Sequence, residues 1–123
     1  MRLHHAGIAA NDLELLRYWY MRYFAMSSSE KYESEEKGIS CYFLSFTEEN
    51  VPQLEIISYH GVHIPQGHGH VAISVGSRQG VEFMTELLRT DGNKIVKEPS
   101  EALTGTYMAA VLDPEGNRVE ITE

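Results

Sequence analysis

Apolar and polar positions along the chain change period several times, and each change marks an element. "RLHHAGIAA" (2–10) reads as a short strand, and "NDLELLRYWYMRYF" (11–24) then switches to helical spacing. Leu13, Leu16, Tyr20 and Phe24 fall near one face of that helix, with Asn11 or Asp12 as its cap. The polar run "SSSEKYESEEKG" (27–38) predicts a strand edge or loop ending in a turn at Lys37–Gly38. "ISCYFLSF" (39–46) and "PQLEIISYH" (52–60) read as strands from their alternation and aromatic or β-branched content, with Pro52 ahead of the second. The segment "GVHIPQGHG", rich in Gly and Pro, predicts a linker.

The order then begins again. "HVAISV" (70–75) is a strand, and "SRQGVEFMTELLRTDG" (77–92) is a helix with Ser77 as N-cap and Gly92 just past its end. "NKIVKEP" (93–99) and "TYMAAVL" (106–112) predict two more strands. "DPEG" (113–116) has Asp, Pro and Gly at the first, second and fourth positions of a type I turn, so "NRVEIT" (117–122) completes a hairpin. Each half reads βαβββ, an internal repeat. The expected chain is α+β, with module 1 (1–60), a linker (61–68) and module 2 (69–123) forming one domain over 1–123.

The repeat extends to chemistry. His5 and His70 lie early in the first strand of each half, and 70 − 5 = 65; Glu55 and Glu120 lie in the last strand of each half, and 120 − 55 = 65. Strand parity places Glu120 with Arg118 and Thr122, opposite Val119 and Ile121, which need a core. Parity also puts His5 with Gly7 and His70 with Ala72, small partners that leave room beside each imidazole. A solvated strand face explains one such carboxylate; a shared spacing of His and Glu in both halves points to function.

Composition narrows the partners. With 42% hydrophobic and 23% charged residues among 123, the chain is globular in class, and its formal net charge of -8 argues against nucleic acid or an anionic membrane as main partner. The opening "MRLHHAGIAAND" lacks the apolar region of a signal peptide, and no stretch approaches the ~18 apolar residues of a membrane span, so a cytoplasmic protein is expected. The lone Cys41 excludes an internal disulfide and reads as a small strand hydrophobe.

Through "LHHAGIAANDLE", "PQLEII", "GHVAISV" and "TYMAAVLDPEGNRVEIT", the chain resembles the vicinal oxygen chelate superfamily over essentially its whole length, and within it small bacterial proteins of glyoxalase I (lactoylglutathione lyase) type. The resemblance implies tandem βαβββ modules curled into a partial barrel around one divalent metal, with His5, Glu55, His70 and Glu120 as ligands. It also implies catalytic carboxylates at Glu120 and Glu55, a thiol-adduct substrate, and a homodimer whose sites draw on one chain or on both. The implied reaction converts a 2-oxoaldehyde thiohemiacetal to a 2-hydroxyacyl thioester through an enediolate, as in methylglyoxal detoxification. Two imidazoles and two carboxylates suit Ni, Co or Zn, with Fe or Mn as alternatives, and a dication is the natural counter-charge for two half-buried carboxylates. Other enzymes of the superfamily (an epimerase, a thiol transferase, an extradiol dioxygenase) and a non-catalytic binding protein are the alternatives. One position departs from the pattern: Ala9 stands where glutathione-using relatives carry a first-strand arginine, so weak activity with the glutathione adduct is expected.

Other residues favour plainer roles. His60, His63 and His68 read as solvated loop histidines rather than a second metal site, for want of a carboxylate or thiol partner. His4, opposite His5 in parity, reads as a core or helix-contact residue. Arg118 reads as a solvated strand-end residue, the alternative being contact with an anionic substrate group. Tyr42, Leu44 and Phe46 share a face that is core or pocket wall, core being the plainer reading, and the aromatics of "RYWYMRYF" read as packing.

Overall fold

A computed structural model describes residues 1–46, 52–65 and 67–123. Gln66 of the expected linker lies outside the described residues. The chain divides into two compact units, Met1–Pro65 and Gln66–Glu123.

In the first unit, strand β1 (His5–Ala9) leads into helix α1 (Leu13–Phe24), followed by β2 (Ser27–Ser28), β3 (Tyr32–Ser34), β4 (Ile39–Ser45) and β5 (Gln53–Tyr59). The sheet order is β1-β5-β4-β2, with β3 also on β4, and β1 runs parallel to β5. Asp12 caps α1 by accepting from the Leu15 N–H at 3.0 Å. The helix ends at Ala25, which takes the left-handed conformation usually left to glycine. Its buried face carries Leu13, Leu16, Trp19, Tyr20 and Phe24 and packs on β5, β4 and β2, where Tyr42, Leu44, Leu54 and Ile56 are buried. Tyr42 and Leu44 are therefore core. The helix aromatics pack as expected, with the Trp19 ring edge-on to Tyr20 and Tyr23.

The polar run after α1 holds two very short strands on β4, separated by Ser29–Lys31. Ser29 offsets the interruption, its hydroxyl accepting from the Phe43 N–H and its own N–H donating to the Phe43 carbonyl.

The second unit repeats the plan with β6 (His70–Ser74), α2 (Arg78–Thr90), β7 (Ile95–Glu101), β8 (Tyr107–Leu112) and β9 (Arg118–Thr122), in sheet order β6-β9-β8-β7 with β6 parallel to β9. Ser77 caps α2 by accepting from the Gly80 N–H. At the other end Gly92 has φ 89°; its N–H bonds to the Arg89 carbonyl and that of Asn93 to the Leu88 carbonyl, closing a Schellman turn. Val81, Thr85 and Leu88 of α2 are buried over a sheet whose Ile73, Ala109, Val111, Val119 and Ile121 are also buried. Strand β7 runs past Pro99, with register shifts on both sides of Lys97; as the sheet's edge it tolerates a residue without an N–H.

Candidate metal-binding pairs

The two parallel strand pairs create equivalent geometry. In the first unit His5 lies opposite Gln53 and Gly7 opposite Glu55; in the second His70 lies opposite Arg118 and Ala72 opposite Glu120. Each imidazole is thus diagonal to its carboxylate on one sheet face. His5 Nε2 stands 3.3 Å from Glu55 Oε2, and His70 Nε2 stands 2.9 Å from Glu120 Oε1. A small residue beside each carboxylate makes the approach free of obstruction. A Cβ on Gly7 would lie 3.7 Å from Glu55 Oε2, an ordinary contact, which is why Ala72 serves the same place in the other half.

Both carboxylates are largely covered, with 21% of the Glu55 and 19% of the Glu120 side chain exposed. Their surroundings differ. Glu55 faces Phe43 across the ladder, and Phe43 meets the His5 ring edge-on at 5.4 Å between centroids. Cys41 reaches Glu55 from the same face: burial pushes its thiol pKa up, and the Glu55 charge and a hydrogen bond to that carboxylate push it further. A thiol held protonated is a donor to Glu55 rather than a soft metal ligand. Cys41 also helps line a cavity of about 220 Å³ with Tyr32, Glu33, Ser34, Lys37 and Ile39. Around Glu120, by contrast, Arg118 donates from Nε to Oε2 at 3.1 Å. Burial alone would raise the Glu120 pKa, but hydrogen bonds and charge from His70 and Arg118 outweigh it and hold the carboxyl below its usual range.

The last hairpin bolts the second pair in place. Gly116 N–H bonds to the Asp113 carbonyl, closing the expected turn. The buried Asp113 carboxylate accepts from the Glu115 and Asn117 N–H groups through Oδ1 and from the Asn117 amide through Oδ2. Asn117 Oδ1 accepts in turn from the Gly69 N–H at 2.8 Å, and the Arg118 N–H donates to the Gly69 carbonyl. The residue before His70 is therefore clamped to the residues that open the strand of Glu120. Gly69 has no room for a side chain, since a Cβ there would sit 2.5 Å from Asn117 Oδ1.

Sequence reasoning missed this clamp, and it missed Phe43 and Cys41 as neighbours of Glu55. The signal for the clamp was present in Asp113 and Asn117, small polar residues that commonly bond to nearby backbone. His4 is a correction. It is exposed, not core, because the strand begins only at His5 and parity does not govern the residue before it; its Nδ1 lies 2.8 Å from His5 Nδ1. His63 and His68 are exposed as expected, whereas His60, also exposed, holds the buried Ser40 hydroxyl at 2.7 Å from Nε2. Among the described residues no three His, Cys, Asp or Glu side chains group as a metal site. Also among the described residues, no helix is long and apolar enough to cross a membrane.

Comparison with known proteins agrees with this topology. Residues 2–121 match the family described as Glyoxalase/Bleomycin resistance protein/Dioxygenase superfamily. A putative lactoylglutathione lyase of Brassica oleracea var. gemmifera is 31% identical over 99% of this chain, which spans only 44% of that protein. The lactoylglutathione lyase of Escherichia coli O157:H7 is 27% identical over 100% of this chain and 93% of its own length. Among solved structures, the trypanothione-dependent glyoxalase I of Leishmania major superposes with a TM-score of 0.81 at 25% identity, covering 100% of this chain and 86% of that one. The repeated plan of the two units and the match over nearly the whole length place this chain in the glyoxalase/bleomycin resistance/dioxygenase superfamily, the vicinal oxygen chelate superfamily.

Proposed function

We propose that the protein is a metal-dependent lyase of glyoxalase I type, acting on the thiohemiacetal of a 2-oxoaldehyde. The observation that carries this reading is the duplicated His–Glu pair. The two pairs occupy the same register in two strand ladders, each with a small residue opposite the carboxylate. Packing requires no such duplication, whereas an N₂O₂ ligand set does. The similarity to lactoylglutathione lyases supports the same reading.

His5, Glu55, His70 and Glu120 would hold one divalent ion, Ni, Co or Zn before Fe or Mn, in a homodimer whose sites draw both pairs from one chain or one pair from each. The donor set fits such an ion: two imidazoles that ligate when neutral, two largely covered carboxylates in need of counter-charge, and no thiolate. When bound, the metal supplies Lewis-acid stabilisation of charge on adjacent substrate oxygens.

The chain's own residues supply the rest. A carboxylate accepts the carbon-bound proton beside the carbonyl and returns it to the neighbouring carbon, and Glu120 is assigned this role with Glu55 as its counterpart. Phe43 and the Cys41 thiol exclude water from one side of Glu55, and the Asn117–Gly69 clamp holds His70 in register with Glu120.

Metal analysis of the purified protein, followed by methylglyoxal turnover with a panel of thiols, tests the proposal. The expected result is about one dication per chain and thioester formation with at least one thiol. A protein that carries metal yet turns over no adduct would be one of the superfamily's other enzymes or binding proteins.

A further inference from the structure

The two parallel strand pairs share one register, and within them one position changes charge between the halves. Gln53 lies opposite His5, and its counterpart opposite His70 is Arg118, since 118 − 53 = 65. A neutral amide in one half is a permanent cation in the other. The guanidinium is anchored but not consumed: Nε donates to Glu120 Oε2 at 3.1 Å, and among the described residues this carboxylate is its one hydrogen-bonding partner. The four N–H groups on its two Nη atoms remain, on a side chain 40% exposed.

Charge counting gives the vacancy a sign. If Glu55 and Glu120 share a dication, their two negative charges cancel its charge. Arg118, touching Glu120, then leaves one uncompensated positive charge beside the ligand set. We propose that Arg118 is the anion-recognising residue of this site, selecting thiol adducts that carry a carboxylate close to the sulfur. The inference rests on the lyase reading above and deepens it by naming the substrate class. A guanidinium fork pairs with a carboxylate through two parallel N–H···O bonds, and its Nη edge is the part still free. Because Glu120 holds the guanidinium at the site itself, the anion it reads lies near the reacting atoms. Ala9, where glutathione-using relatives place their arginine, offers no such contact.

The rival role for Arg118 is to orient Glu120 alone, which would affect every substrate alike. N-acetylcysteine and N-acetylcysteamine differ by one carboxylate and separate the two. The metal-reconstituted protein is given the methylglyoxal hemithioacetals of both thiols for kcat/KM, and their S-lactoyl thioesters for Kd. The wild type should favour the acid by about tenfold in each measure, the scale of a charge-assisted pair at a half-exposed site. Arg118→Gln, which copies Gln53, should bring the acid-to-neutral ratio close to one, and Arg118→Lys should retain part of it. No preference in the wild type, or a ratio that Arg118→Gln leaves unchanged while both ligands weaken together, would overturn the proposal. Equal turnover of both adducts sinks it while the lyase reading stands. Preferential binding of the acid thioester with no turnover of either adduct sustains the anion site and removes the lyase reading.

Discussion

Glu55 and Glu120 are equivalent in sequence spacing and unequal in surroundings. Glu120 has two donors with cationic capacity, His70 and Arg118, whereas Glu55 has His5, a thiol and an aromatic ring. Substitution at single residues therefore separates ligand from base. Glu120→Gln keeps the size and one coordinating oxygen of the side chain but loses the proton acceptor. It should keep part of its metal and lose roughly 10²-fold or more in turnover, the usual worth of a positioned base. His5→Ala and His70→Ala should fail through lost metal, with partial rescue by excess metal. Measuring metal content and kcat on the same samples decides the matter. If Glu120→Gln holds metal and works at near-normal rate, the base is Glu55 or another group. If activity follows metal content in every variant, Glu120 serves only as a ligand.

The elements that carry these residues were mostly legible in the sequence, and the exceptions have physical causes. Helices α1 and α2 stand within a residue of expectation because Asp12, Ser77 and Gly92 are strong end signals. Strand β7 runs two residues further than expected, since Pro99 ends a strand only where its N–H is needed. β2 and β3 were hard to read because polar edge strands bury little and show weak alternation. The His–Glu offset was visible because it is a matter of counting. The neighbours of Glu55 were not, because they depend on the register of β4 against β5, which a single sequence does not state. The Gly69 clamp is testable at this level. Asn117→Ala removes the Gly69 acceptor and one donor to Asp113 at a buried position, for a loss of about 1–3 kcal/mol in stability. Gly69→Ala should cost at least as much, because its Cβ would overlap the Asn117 amide. Thermal unfolding reads both, and metal affinity should fall with them because His70 follows Gly69 directly. Near-wild-type melting for Asn117→Ala would show that the clamp is decoration.

At the scale of the molecule the constraint is size. Each unit has one helix on one small sheet, and a core built, among the described residues, around a dozen or fewer large side chains stabilises a fold only modestly. Both sheets have edge strands, β1 and β6 among them, and these two carry the exposed His5 and His70. Association of two copies would cover more apolar surface than a single chain can, and it would allow pairs from different chains to complete one ligand set. The expected species is therefore a homodimer. Sedimentation equilibrium at micromolar protein should give twice the 13.9 kDa chain mass, and a value near the single-chain mass would count against it. Mixed dimers then test the sharing. When a His5→Ala chain pairs with a His70→Ala chain, a site drawing on both chains keeps one intact set, formed from the first unit of the His70→Ala chain and the second unit of the His5→Ala chain. Sites confined to one chain would all keep a defect. Refolding the two variants together should accordingly recover up to half a metal ion per chain in the heterodimer, and turnover with it. Absence of recovery, with dimers present, would assign all four ligands to a single chain.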